Sequence, residues 1–245
     1  MRKKNNSRRI KSGLLIILLL LSLSGVMGGL WLKHHTYQPT AATRQALQSA
    51  TVKRDQIIFP AHGQRQLTVI FYPGALVEPA SYAPWAHQVA QAGYTVKIAR
   101  FPLNLAILAP KQARALVPAH QAYVIGGHSL GGVMAARWAH QHHPAALKGV
   151  FFFASYPDQK GRLDHTSLPV LSLTGSRDGV LNWSRFRTAQ KYLPRETTKQ
   201  TITGGNHAGF GAYRPQKGDR AATISNHAQQ TAIAQALLKW LATLH

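Results

Sequence analysis

Residues 122–139 read Ala-Tyr-Val-Ile-Gly, then Gly-His-Ser-Leu-Gly, then Gly-Val-Met-Ala-Ala-Arg-Trp-Ala. The first five have no charged residue among them and read as a buried strand. Gly131 to His143 reads as a helix, apolar or small on most sides, that stops before Pro144. Between them, Ser129 has a glycine two positions away on either side. A strand-to-helix turn this sharp strains its central residue, and side chains at positions 127 and 131 would collide. The helix opening here aims its first N–H groups and the positive end of its dipole at the serine. This is the context in which a Gly-x-Ser-x-Gly turn presents a nucleophilic hydroxyl.

The same alternation extends outward. Gln56–Pro60, Leu67–Tyr72, Tyr94–Ala99, Lys148–Ala154, Pro169–Thr174 and Lys199–Thr203 are short strand signals. Helices are expected at Pro79–Ala92, Leu103–Leu116, Trp183–Tyr192 and Asn226–Leu244. Strands that are apolar on both faces, alternating with helices, indicate an α/β fold: a mostly parallel sheet covered on both sides.

A serine nucleophile needs a base, and the base needs an orienting acid, in the chain order Ser, acid, His for this kind of turn. The chain has 7 Asp and Glu residues, which shortens the search. Asp178 follows the strand at Pro169–Thr174, in a loop where α/β sheets collect functional groups. Asp158 also follows a buried strand and competes with it. Asp164 and Asp219 read as solvated loop residues. Among 13 histidines, His207 lies in a Gly-rich loop between the last strand and the final helix. His128, inside the turn, is expected to pack or to make a polar contact. Trp85, Phe101, Phe153, Trp183 and Phe210 stand beside strands, where aromatic residues more commonly build core than line a pocket.

Together with Phe71–Pro79, Phe101–Ala106, Leu173–Asp178 and Gly204–Gly211, these motifs resemble the α/β-hydrolase superfamily, and more narrowly its small cap-less, dienelactone-hydrolase-like members. The resemblance covers about residues 51–245. It implies Ser129, Asp178 and His207 as a catalytic triad performing acyl transfer through an acyl-enzyme. It also implies an oxyanion hole from the N–H of Leu130 and of Ala75, with Leu76 as the backup donor. No metal or organic cofactor is implied. Dienelactone hydrolases themselves use a cysteine nucleophile, and this chain contains no cysteine. Only Ser155–Leu168 separate two consecutive strands where caps are usually inserted, so an open site is expected, suited to a small ester or an accessible acyl group.

The absence of cysteine also excludes disulfides, thiolate metal sites and a lipoprotein anchor. The net charge is +22. Residues 1–12 hold six basic residues and no acid, and residues 13–32 carry no charge. That pattern predicts a basic cytoplasmic segment (1–12), a transmembrane signal anchor (13–32), a polar tether (33–50) and an extracytoplasmic catalytic domain (51–245). A cleaved signal peptide is the alternative, leaving a secreted domain. From Lys33 on, 23 basic residues face 7 acidic ones, which suggests an anionic envelope polymer as a partner. The basic residues are scattered and no nucleic-acid-binding motif occurs, so nucleic acid is not expected. An acyltransferase or peptidase using the same triad, and a non-catalytic envelope-binding protein on the same fold, are the rival readings.

Overall fold

The computed structural model describes residues 2–63, 67–117, 121–142 and 144–244, with side chains from residue 17 on except at 18 and 113. The chain divides into two compact units, Met1–Thr36 and Tyr37–His245.

The first unit is one helix, α1 (Arg2–His34). Among its described side chains, Leu20, Leu21, Val26 and Trp31 are exposed and Leu32 is half-buried. The span expected at 13–32 finds no support here: among the described residues no helix is long and apolar enough to cross a membrane. Side chains at 13–16 and 18 lie outside the described residues.

The second unit is built on eight strands: β1 (Thr51–Val52), β2 (Gln56–Phe59), β3 (Thr68–Tyr72), β4 (Thr95–Ala99), β5 (Tyr123–His128), β6 (Leu147–Phe153), β7 (Val170–Gly175) and β8 (Thr198–Ile202). They form one sheet in the order β1-β2-β4-β3-β5-β6-β7-β8. The strands from β3 to β8 run parallel, while β1 and β2 pair antiparallel at one edge. The expected mostly parallel sheet is therefore observed. β4 lies on one side of β3 and β5 on the other, so the connections diverge beside β3 and leave a crevice at the strands' C-terminal ends.

Side chains alternate between two cores, as period two requires. Val69, Phe71, Phe151 and Phe153 face one side, with Trp85, Leu237 and Trp240. That side is covered by α3 (Ala83–Gln91) and α7 (Asn226–Leu241). Ile70, Tyr72, Ile125 and Phe152 face the other, under Met134 and Trp138 of α5 (Leu130–His142). Trp85, Phe153 and Phe210 are fully buried, in keeping with the core reading of the aromatic residues.

Two expectations need correction. Leu103–Leu116 is not one helix. It forms two short 3-10 turns, Pro102–Asn104 and Ala106–Leu108, and a four-residue helix, α4 (Ala113–Leu116). Pro110 interrupts the ladder, and Leu103 and Asn104 take positive φ of 53° and 54°. The 33–50 segment is also more than a tether, because from Tyr37 it is part of the second unit. Tyr37 N–H donates to Leu76 O at 2.7 Å, and Glu78 N–H donates back to Tyr37 O at 3.0 Å. Thr40 N–H donates to Ala212 O at 2.8 Å, and α2 (Thr43–Leu47) buries Thr43 and Ala46. The remaining helix, α6 (Trp183–Ala189), follows β7 and is capped by Asn182, whose side chain accepts the Arg185 N–H.

Candidate active site

The turn after β5 is as tight as its sequence implies. Ser129 sits at φ 51°, in the left-handed region. A Cβ at Gly127 would come within 2.5 Å of Tyr72 O, and one at Gly131 within 2.2 Å of the same atom. Two further bonds lock the turn. Ser129 N–H donates to Phe153 O at 3.0 Å, and the Ser155 hydroxyl donates to Ser129 O at 2.6 Å. Ser155 had no signal in the sequence beyond its place after β6.

Asp178 and His207 come together at the same end of the sheet. Asp178 is 0% exposed and His207 1%. His207 donates from Nδ1 to Asp178 Oδ2 at 2.8 Å. Asp178 Oδ1 accepts the N–H of Val180 at 2.9 Å and of Leu181 at 2.7 Å. A buried carboxylate needs such donors, since burial without them is costly. With its proton on Nδ1, His207 presents a lone pair at Nε2. That atom is buried and has no hydrogen-bond partner among the described residues. Ser129 and His207 line one cavity of about 410 Å³, with Tyr156, Asp158, Arg137 and Arg185. Asp158 does not meet the imidazole. It pairs with Arg137 and accepts the Gly161 N–H at 3.1 Å.

Leu130 opens α5, and its N–H makes no backbone hydrogen bond among the described residues. In the loop after β3, Leu76 N–H is already donated to Asn104 O at 2.9 Å, whereas Ala75 N–H has no such partner. The loop leans on the turn, with Tyr72 O and Pro73 O both close to Gly131. The N–H groups of Leu130 and Ala75 thus remain available on the two backbone segments that converge at Ser129.

His128 has a polar contact of a specific kind. The Tyr82 hydroxyl accepts the Gly74 N–H at 2.9 Å and meets His128 Nδ1 at 2.9 Å. Its own proton therefore goes to Nδ1, which places the His128 proton on Nε2. The His128 ring lies 4.5 Å from that of His207. Burial, followed by the nearby His207, holds the His128 pKa well below its ordinary value, so the ring is neutral.

Asp219, expected as a solvated residue, bridges the loops that carry Asp178 and His207. Its Oδ1 accepts Gly179 N–H at 2.9 Å, next to Asp178, and its Oδ2 accepts Ala208 N–H at 2.8 Å, next to His207. Arg220 adds a bond from Nη2 to Asp178 O at 2.9 Å. The only sequence hint was an Asp after Gly218 in a loop, a pattern too common to single out. Among the described residues, no group of three or more His, Asp or Glu side chains is placed to hold a metal.

The sequence profile of the alpha/beta hydrolase family matches residues 68–231. This chain belongs to that family. No curated protein sequence matches it. Solved hydrolase structures are similar in fold. Est1E from Butyrivibrio proteoclasticus is 14% identical, with a TM-score of 0.52, covering 79% of this chain and 98% of its own. The dienelactone hydrolase from Anabaena variabilis is 17% identical, with a TM-score of 0.54, covering 77% and 91%. A ferulic acid esterase from Streptomyces cinnamoneus is 17% identical, with a TM-score of 0.58, covering 76% and 68%. At these identities the likeness concerns the hydrolase fold.

The neutral His128 generates a pH prediction. Its folded pKa lies below the unfolded value near 6.5, so in acid the unfolded chain binds the extra proton. Stability from this site is present above about pH 6.5 and declines as pH falls below it, by up to about 1.4 kcal/mol per pH unit. Urea unfolding of the wild type and His128→Asn between neutral pH and pH 5 should show a shallower acid decline in the variant. Parallel curves would assign the decline to other groups.

Proposed function

We propose that the protein is a serine hydrolase that cleaves carboxylic esters through Ser129, His207 and Asp178. The observation that carries this reading is the buried His207–Asp178 pair, which leaves Nε2 without a partner in a cavity shared with Ser129. In this reading, His207 Nε2 takes the Ser129 proton as the hydroxyl oxygen attacks the carbonyl. Asp178 holds the tautomer and stabilises the imidazolium. The N–H groups of Leu130 and Ala75 receive the oxyanion, each contributing roughly 3–4 kcal/mol to the barrier reduction. Collapse expels the alcohol, which takes the proton from His207. Water then attacks the acyl-enzyme with His207 again as base, releasing the acid and restoring Ser129. The short connection between β6 and β7 leaves no room for a sizeable cap, which favours small esters or the accessible end of a larger one. The esterase names among its structural relatives agree with this substrate class.

A fluorophosphonate probe should label the wild type and leave Ser129→Ala unlabelled; equal labelling of both would refute the nucleophile. On short p-nitrophenyl esters, Asp178→Asn should lower kcat by about 10⁴-fold, with Asp158→Asn far milder. The reverse ranking would reassign the acid.

Asp219 acts as a positioning residue in this scheme. Asp219→Ala should lower kcat by about 10²-fold through misplacement of the two loops, with KM little changed. A variant that folds normally and keeps its kcat would remove that role.

The N-terminal membrane anchor is a separate part of the proposal. Its support is the basic 1–12 segment, the uncharged 13–32 segment and the exposed apolar side chains of α1. Reporter fusions after residue 33, active only outside the cytoplasm, should be positive. Activity of a cytoplasmic reporter at that junction would overturn the orientation.

A further inference from the structure

In the unit Tyr37–His245, the exposed large hydrophobic side chains among the described residues are Val52, Leu103, Ile107 and Leu108. Single exposed leucines are ordinary on a protein surface. Here three large aliphatic side chains crowd into the six positions 103–108, each between 43% and 53% exposed. The loop that carries them leaves the C-terminal end of β4, the same end of the sheet that holds Ser129 and His207. Val52 is near it: it pairs with Ile57, which in turn pairs with Ile98 at the end of β4.

The loop is rigidly built for a segment so apolar outside. Leu103 and Asn104 both hold positive φ, a strain that persists only where surrounding contacts impose it. Phe101 packs edge-on against Tyr72 at 4.7 Å. Gln112 donates to Asp55 O at 3.0 Å, Arg100 donates to Lys53 O at 3.0 Å, and Lys97 donates to Leu116 O at 2.9 Å. The first two bonds fix the segment to the β1–β2 turn, the third ties its end to β4, and the three aliphatic side chains stay exposed.

The surrounding charge is one-sided. No carboxylate occurs from Arg100 to Val117, and Lys111 and Arg114 are exposed. Lys53 and Arg54 are exposed on the adjoining turn. Of the nearby acids, Glu78 lies 3.9 Å from Arg100 and accepts from Asn104, which leaves the half-buried Asp55 against four basic side chains. An aliphatic tip with exposed Lys and Arg on its own loop and on the adjoining turn matches the chemistry of an anionic lipid surface: hydrocarbon for the tip, anionic headgroups for the cations.

The geometry points to residues 100–114, with Lys53 and Arg54, as a docking surface for an anionic lipid bilayer. The surface stands on geometry outside the Ser129 cavity, and its existence is independent of the hydrolytic assignment. It also has a direct link to the site, since Asn104 O receives the Leu76 N–H beside Ala75. Docking would set the mouth of the cavity against the lipid, where acyl esters of low water solubility concentrate.

The absence of native cysteine makes the test clean. Ile107→Cys, Leu108→Cys and a control, Thr198→Cys at the start of β8, are each labelled with bimane in the full chain. Each is bound to vesicles of phosphatidylcholine with or without phosphatidylglycerol, with spin-labelled lipid as quencher. Labels at 107 and 108 should shift to the blue and be quenched on the anionic vesicles, while the label at 198 stays in water. Lys111→Gln with Arg114→Gln should raise the lipid concentration for half-maximal response by about tenfold or more. Labels at 107 and 108 that remain water-exposed on sedimented, anionic-vesicle-bound protein would overturn the proposal. So would an equal response on neutral vesicles. A concentration-dependent blue shift without lipid would assign the patch to self-association instead.

Discussion

A serine held at φ 51° in a turn with no space for a Cβ two residues away on either side is a steric constraint that propagates through the whole domain. The carbonyls of Tyr72 and Pro73 close on Gly131, so β3 and β5 must be neighbours in register. Ser129 N–H requires Phe153 O, which fixes β6 on the other side of β5. Ser155 then fills the space beside Gly132 and bonds the serine's own carbonyl. The three central strands are thereby tied to one residue's conformation, and the helix that follows has one direction open to it.

Few carboxylates serve this basic chain, and most have a structural duty. Asp158 and Asp164 pair with Arg137 and Arg162, and Glu78 lies beside Arg100. Asp178 and Asp219 are different, because neither is neutralised by an arginine side chain. Each is satisfied chiefly by N–H groups of loops at the C-terminal ends of strands. Backbone donors give a carboxylate direction without cancelling its charge. At Asp178 that charge is kept for an imidazole, and at Asp219 the two fixed oxygens set the spacing of the loops. Unpaired cations elsewhere are a consequence of this allocation, with a local concentration beside the aliphatic tip at Leu103–Leu108.

The elements that could be read in the sequence are those whose cause is local. The strands β3 and β5 to β7 are largely apolar runs, and the glycines around Ser129 announce a close approach before any coordinate does. His207 and Asp178 could be found because strand ends and Gly-rich loops restrict where such groups collect. Asp219 could not, since its role depends on two loops distant in the chain meeting beside it. The expected helix at Leu103–Leu116 fails at Pro110 and at the positive φ of Leu103 and Asn104, where tertiary bonds from Asn104 and Gln112 outweigh periodicity. The segment from Tyr37 looked unstructured because its partners, Leu76, Glu78 and Ala212, supply main-chain bonds that no pattern within 33–50 foretells.

The strap at Tyr37–Thr40 bears on how the domain carries mechanical load. Its bridges to Val77 and Tyr213 place the entry of the polypeptide beside the loops that hold Ala75 and His207. Tension applied through the N-terminal segment would reach those loops before it reached the sheet. Tyr37 is held to Val77 by one parallel bridge, and Thr40 holds a second point. The loops next to Ser129 therefore also hold the point at which the chain enters the domain, so a pull on that entry would be felt first beside Ser129.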